Sequence, residues 1–334
     1  MIWLTWRQFR TAALAVFGAL AAFAVILAIT GPALASEYAT GIAACGEQCG
    51  NFLNSFYDDL QGAFLGVTAA ILVLPPVIGV FWGAPLISRE LEAGTHRLVW
   101  NQSITRTHWL AVKLTLIGLA VMTATALASV AVTWWSSTVD QVAENFPRLG
   151  SLVFDARGIV PIGYSAFAFA LGVVVGMLIR RTLPAMAVTL AVFVAVQLAM
   201  PFLVRPYLLP STQATVEISE SILDGLSISR DDNTIRLEGK APDPGGWLLS
   251  SRILDPSGTA VERIPSPANG ACTPRGEGMS DCLAELNRLG YRAQLSYHPP
   301  TRFWPFQWIE TGIYLAATLT LGVFCFWWLR RRVS

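Results

Sequence analysis

The side chains able to do chemistry sit in few places. Cys45-Gly46-Glu47-Gln48-Cys49 sets two thiols four residues apart, and Cys272 and Cys282 form a second close pair. Such pairs close disulfides, which persist in oxidising compartments, or hold a soft metal, whose structural sites take four ligands. Cys45 and Cys49 have no second ligand pair nearby, and no C-x-x-C is present for redox exchange. The histidines, His96, His108 and His298, are too dispersed to form a cluster from spacing alone. No G-x-x-x-x-G-K-[ST] occurs, and with lysine only at Lys113 and Lys240 a Walker A loop cannot be concealed. H-E-x-x-H, G-x-S-x-G and the kinase signatures are absent too. The expectation is a chain with no catalytic centre, no cofactor and no metal of its own. What remains is Ser88–Lys113, SRELEAGTHRLVWNQSITRTHWLAVK, an island holding Arg89, Glu90, Glu92, Arg97, Arg106 and Lys113. Ala63–Gly83 before it and Leu114–Trp134 after it carry no charge.

The elements that position this island are membrane spans. The chain has 334 residues, 54% hydrophobic and 13% charged, with mean hydropathy +0.52; soluble domains carry about 25% charge. A hydrocarbon core about 30 Å thick needs roughly 20 apolar residues per helix. Six segments qualify, about 12–30, 63–83, 114–135, 159–179, 183–204 and 308–329. Arg7 and Arg10 ahead of an apolar run and Ala33-Leu34-Ala35 imitate a secretory signal, but the run exceeds an h-region, so an uncleaved first span is expected. Residues 1–10, with Trp3, Trp6 and Phe9, suit an interfacial helix or a basic flank of that span. A net charge of +1 gives no ground for nucleic-acid binding. Arginine so outnumbers lysine that the composition suggests a GC-rich bacterial genome.

Basic residues set the orientation. Arg7 and Arg10, then Arg89, Arg97, Arg106 and Lys113, then Arg180 and Arg181, then Arg330, Arg331 and Arg332 fall on one face. That face is expected to be cytoplasmic, with both termini, in a bacterial inner membrane. Every acidic residue except Glu90 and Glu92 then falls outside, as do Cys45, Cys49, Cys272 and Cys282. The domain expectation is 1–204, five spans with a cytoplasmic segment 84–113; 205–307, an extracytoplasmic α+β insertion; and 308–334, the sixth span and a basic tail.

Within the insertion, alternation predicts strands at Thr215–Ser219, Leu226–Arg230 and Thr234–Glu238, the last two joined at Asp231-Asp232-Asn233. Trp247–Leu254 and Thr259–Ile264 flank a turn at Asp255-Pro256-Ser257-Gly258. Ser280–Leu289 predicts a helix with Ser280 as N-cap, Gly290 as stop, and Leu283, Leu286 and Leu289 on one side. Tyr297-His298-Pro299-Pro300 with Phe303, Trp304, Phe306 and Trp308 suits an interfacial belt. Span centres look bare of ionisable groups: Lys113 and Glu310 lie at span edges, where each could snorkel to water. Gln197 suits an interhelical hydrogen bond, and Gly172-x3-Gly176 a close helix contact. Pro75-Pro76 marks either a static kink or a hinge. Ion-driven transport and membrane-embedded catalysis are disfavoured, so energy must come from elsewhere.

Glu90-Leu91-Glu92-Ala93-Gly94-Thr95, then Ser103-Ile104-Thr105-Arg106, then Lys113 opening the third span, resemble the type-2 ATP-binding-cassette exporter permeases. Tyr297–Glu310, YHPPTRFWPFQWIE, is similar to actinobacterial members. The resemblance implies an all-α polytopic membrane protein of six helices with termini inside, an N-terminal interfacial helix and an outer insertion before the sixth span. It further implies a separate cytoplasmic ATPase subunit that binds the ATP, and a second permease copy, identical or a close paralogue. Arg89, Glu90, Glu92, Gly94, Thr95, Arg97, Arg106 and Lys113 would then be the coupling residues, with a short helix from Glu90 to about Arg97 broken at Gly94. A competing expectation is a non-transporting sensor or anchor whose outer module binds a ligand.

Overall fold

The computed structural model describes residues 2–45, 49–94, 105–137, 148–229, 234–266, 272 and 279–332. Six helices in it are long and apolar enough to cross a membrane, as hydropathy requires. The first, α1 (Ile2–Ala44), is unbroken for 43 residues. Residues 2–10 therefore continue the first span's helix and form no separate interfacial one. α2 (Cys49–Ile78) contains Pro75 and Pro76. Proline has no N–H, so carbonyls one turn earlier lose their helical partners. Just beyond, Gly79–Gly83 widens into a π-helical turn, closed by Ala84 N–H donating to Gly79 O at 2.9 Å. The chain then continues as α3 (Pro85–Glu92). The short helix expected to begin near Glu90 is thus the tail of the second span's own helix. It stops where glycine allows, since Gly94 has φ +71.

α4 (Arg106–Ser136) starts on Thr105, whose hydroxyl accepts from His108 N–H at 3.3 Å. A short α5 (Ser151–Asp155) leads into α6 (Val160–Ile179), which ends on Arg180 in the left-handed region. α7 (Thr182–Ala199) passes into a second π-turn, Met200–Val204, and a 3-10 turn, Arg205–Tyr207. α6 is the central span: almost all of its residues are buried by the chain's other helices, whereas α1 is largely exposed. Its small residues explain the fit. A Cβ on Gly172 would lie closer than 3.0 Å to Gly79 O and to Ala84 N, and one on Gly176 closer than 3.0 Å to Ala84 O. Across the contact, a Cβ on Gly83 would meet Phe169 O at 2.6 Å. The Gly172-x3-Gly176 pattern therefore marks a backbone-to-backbone crossing within one chain. Cys325 is buried in the same apolar core.

A second compact unit comprises chiefly residues 206–303. It holds β1 (Thr212–Val216), β2 (Leu223–Ser229), β3 (Thr234–Gly239), β4 (Trp247–Leu254), β5 (Ala260–Val261), β6 (Ile264–Pro265), α8 (Met279–Arg288) and β7 (Arg292–His298). Two antiparallel sheets form, β1-β7-β4-β5 and β2-β3-β6. The hairpin flanks β2 and β3 pair as the alternation predicts, while the turn Asp231–Asn233 lies outside the described residues. The turn after β4 is held by Asp255, whose carboxylate accepts from Ser257 and Thr259 N–H at 2.9 and 2.8 Å. Hydrogen bonds from the Ser257 hydroxyl and the Thr259 amide keep that carboxyl below its ordinary range.

Four local expectations need correction. Ile218 is not in a strand, because Asn287 Oδ1 and Nδ2 take its backbone N–H and C=O at 2.9 and 2.8 Å. The strand expected over Thr259–Ile264 is split between the two sheets as β5 and β6. Ser280 lies inside α8 rather than capping it, and Leu289 is exposed beside the Gly290 stop. β7 was not anticipated, although Ala293, Leu295 and Tyr297 alternate inward. It takes Tyr297 and His298 into a sheet and out of any aromatic belt, and Phe306 is buried too. Trp304 and Trp308 are exposed, as a belt requires.

The Cys272–Cys282 disulfide joins α8 to the core of Ile235, Ile253, Leu286 and Leu295. Its sequence separation of 10 makes the chain-entropy gain about 3 kcal/mol. Cys272→Ala/Cys282→Ala should therefore lower the unfolding free energy of this unit by about that amount and move its urea midpoint down accordingly, read by tryptophan fluorescence. An unchanged midpoint would show that the bridge contributes nothing. Cys45 and Cys49 are likewise bonded, between the ends of α1 and α2, with Cα atoms 4.9 Å apart.

Candidate functional site

Glu90 and Glu92 lie about two helical turns past the π-turn, on α3. Glu90 forms an ion pair with Lys113 of α4, and Lys113 Nζ also sits 4.8 Å from the Trp109 ring centroid. Lys113 is 3% exposed, so it does not snorkel: a buried ammonium needs a partner, and Glu90 is that partner. Glu92 Oε2 accepts from Thr182 N–H at 3.0 Å and from Thr182 Oγ1 at 2.7 Å. It thereby places a carboxylate at the N-terminus of α7, where the helix dipole and free N–H groups favour one. Ser88 reinforces the same contact, its hydroxyl donating to Ala84 O at 2.8 Å and lying 3.3 Å from Thr182 Oγ1. One helix tail thus holds the starts of the third and fifth spans. Beside it a cavity of about 470 Å³ is lined by Phe9, Phe81, Trp82, Arg89, Glu90 and Lys113.

Of the expected coupling residues, the structure therefore brings Glu90 and Lys113 together and turns Glu92 toward α7. Arg89 is exposed on α3, Gly94 ends the helix turn, and Arg106 opens α4. Thr95 and Arg97 lie outside the described residues, as do Ser103 and Ile104.

A second constellation joins the opposite ends of the fourth, fifth and sixth spans. The last of these is α9 (Phe303–Arg332). Arg205, fully buried, makes a bidentate pair with Glu310, Nε to Oε2 at 2.8 Å and Nη2 to Oε1 at 2.9 Å. The same Nη2 bonds Asp155 Oδ1 and lies 3.2 Å from Tyr164 Oη. Tyr164 Oη is 2.9 Å from Asp155 Oδ1 and 2.5 Å from Glu310 Oε1. Gln197 Nε2 approaches Asp155 Oδ2 at 3.4 Å, the interhelical bond expected of it. Next to this group, Gln307 Oε1 accepts from Ile159 and Val160 N–H, both at 2.9 Å, and its Nε2 donates to Phe154 O at 3.2 Å. A side chain of α9 thereby caps the N-terminus of α6, which has no cap of its own.

Comparison with known families finds a match. A model of the ABC-2 membrane transporter related family covers residues 17–205, more than half of the chain. The chain belongs to that family. No curated protein and no solved structure matches it. It is a multi-pass ABC transporter permease, a membrane transport component and not itself an enzyme.

In this permease the ionisable groups are not confined to span edges facing water. Glu310 is fully buried against Arg205, which overturns its reading as a snorkelling residue. The physical reason is that a paired, hydrogen-bonded carboxylate loses far less on burial than a solitary one. Sequence reasoning missed this cluster. Its signal was the placing of Asp155, Arg205 and Glu310, each within a few residues of an apolar run, but local pattern does not say which ends meet.

Proposed function

We propose that the chain is the exporter permease of an ABC transporter, working as a dimer and driven by a separate cytoplasmic ATPase that engages segment 84–113. Both termini then lie in the cytoplasm of a bacterial cell, and the unit from 206 to 303 lies outside, consistent with the distribution of arginine and with the two disulfides. The observation that carries the reading is the continuity of α2, the π-turn and α3, with Glu90 and Glu92 fastening the tail to α4 and α7. A push delivered just beyond Glu92 would move three spans together, because helices transmit displacement and the fastenings are charge-assisted. ATP stays on the partner; this subunit contributes the pathway.

Pull-down of the tagged chain from its native membranes should bring a cassette ATPase with it. In that complex Glu92→Ala should lower cargo-stimulated ATP hydrolysis several-fold while the complex still assembles. If no such ATPase is captured, or if Glu92→Ala hydrolyses and transports like the parent, the coupling role is wrong.

A further inference from the structure

The cluster around Arg205 is one positive charge short. Asp155 from α5 and Glu310 from α9 face a single guanidinium, and neither has another cationic partner among the described residues. The other groups facing them are Tyr164 of α6, Tyr314 of α9 and the neutral Gln197 of α7. Arg157 lies with its guanidinium 5.2 Å from the centroid of the Phe64 ring. A net negative charge in so dry a place is costly, and the usual remedy is to bind a proton.

Hydrogen-bond geometry makes the same count. Tyr164 Oη contacts two carboxylate oxygens, at 2.9 and 2.5 Å, and receives Arg205 Nη2 at 3.2 Å. A phenol has one proton to donate, and an ionised carboxylate has none. Two O–H···O bonds at one hydroxyl therefore require a second proton, carried by Asp155 or Glu310.

We propose that Asp155, Tyr164 and Glu310 form a buried proton-binding site, which takes one proton from water and shares it across Tyr164 Oη while Arg205 stays charged. In the loaded state the phenol donates to one carboxylate and accepts from the carboxylic acid of the other. Unloading leaves two carboxylates competing for one phenol proton and one guanidinium, which loosens the joint between α5, α6, α9 and the end of the fifth span. Burial pushes the Asp155 carboxyl up to about 6 from its ordinary value near 3.8, outweighing the opposing pull of Arg205. The site is therefore tuned to mildly acidic conditions. This inference is independent of the coupling reading above.

A carboxyl whose pKa is raised in the folded state binds protons preferentially there, so its contribution is fully present below the unfolded value and is lost as pH rises through the folded one. Between 3.8 and about 6 that is a decrease in the folding equilibrium on the order of a hundredfold.

The test is infrared difference spectroscopy of the purified full-length permease, titrated over about pH 5–8. Asp155 and Glu310 are the buried acids among the described residues. A protonated-carboxyl C=O band should grow as pH falls, and should be absent in Asp155→Asn and in Glu310→Gln, since removing either acid balances Arg205. The same variants should flatten the pH dependence of thermal unfolding. Should either variant fail to fold, wild-type protein carrying carboxyl-13C aspartate or glutamate keeps the test alive: the band must shift with one of the two labels. A band that is missing, or that persists unchanged in both variants, overturns the proposal, as does a band indifferent to both labels.

Discussion

Arg205→Met is expected to be the most damaging single substitution in the membrane unit, costing roughly 3–5 kcal/mol. It would leave Asp155 and Glu310 buried without their cation, and strand the Tyr164 hydroxyl between two carboxylates. Much of that cost belongs to the orphaned charges rather than to the pair itself. A triple variant, Arg205→Met with Asp155→Asn and Glu310→Gln, should therefore recover most of the lost stability. Thermal unfolding of the detergent-solubilised protein distinguishes the outcomes. If the single variant melts with the parent, or if the triple is worse than the single, the cluster is not the joint described above.

Gly172→Leu should be next in severity, at roughly 3 kcal/mol or more. The added side chain would meet Gly79 O and Ala84 N, which are backbone atoms and cannot rotate away. Either α6 leaves the second span or the π-turn is remodelled. Gly66→Leu, on α2 where nothing lies within 4 Å of the new Cβ, supplies the comparison and should stay within about 0.5 kcal/mol of the parent. Equal melting temperatures for the two variants would refute a tight crossing at α6.

These two sites mark the boundary of what sequence could teach. Spans, the Gly94 stop, the β2–β3 pairing and the Gly172-x3-Gly176 contact are all local: length, period and residue size determine them, so they can be read along the chain. Arg205 could not be read that way. It opens a long polar segment in sequence, yet it is buried against residues 50 earlier and 105 later. The fastening of Glu92 to Thr182, 90 residues away, is hidden for the same reason. β7 was a different failure, because its inward Ala293, Leu295 and Tyr297 follow the strand period and were masked only by the aromatic run after them. The π-turn at Gly79–Gly83 was half legible: Pro75-Pro76 announced an irregular helix, while its width depends on how closely α6 approaches.

The length of α1 has a mechanical meaning. Its 43 residues make a rod about 65 Å long at 1.5 Å per residue, roughly twice the thickness of a hydrocarbon core. The helix that follows, from Cys49 through the π-turn to Glu92, is of similar length, and the Cys45–Cys49 bridge staples the two at one end. Such a stapled hairpin is a lever that outreaches the bilayer. Tilted by about 5° as a rigid body, it would displace its far end by about 5–6 Å, so a small rotation at α3 would become a side-chain-sized movement at the stapled tip.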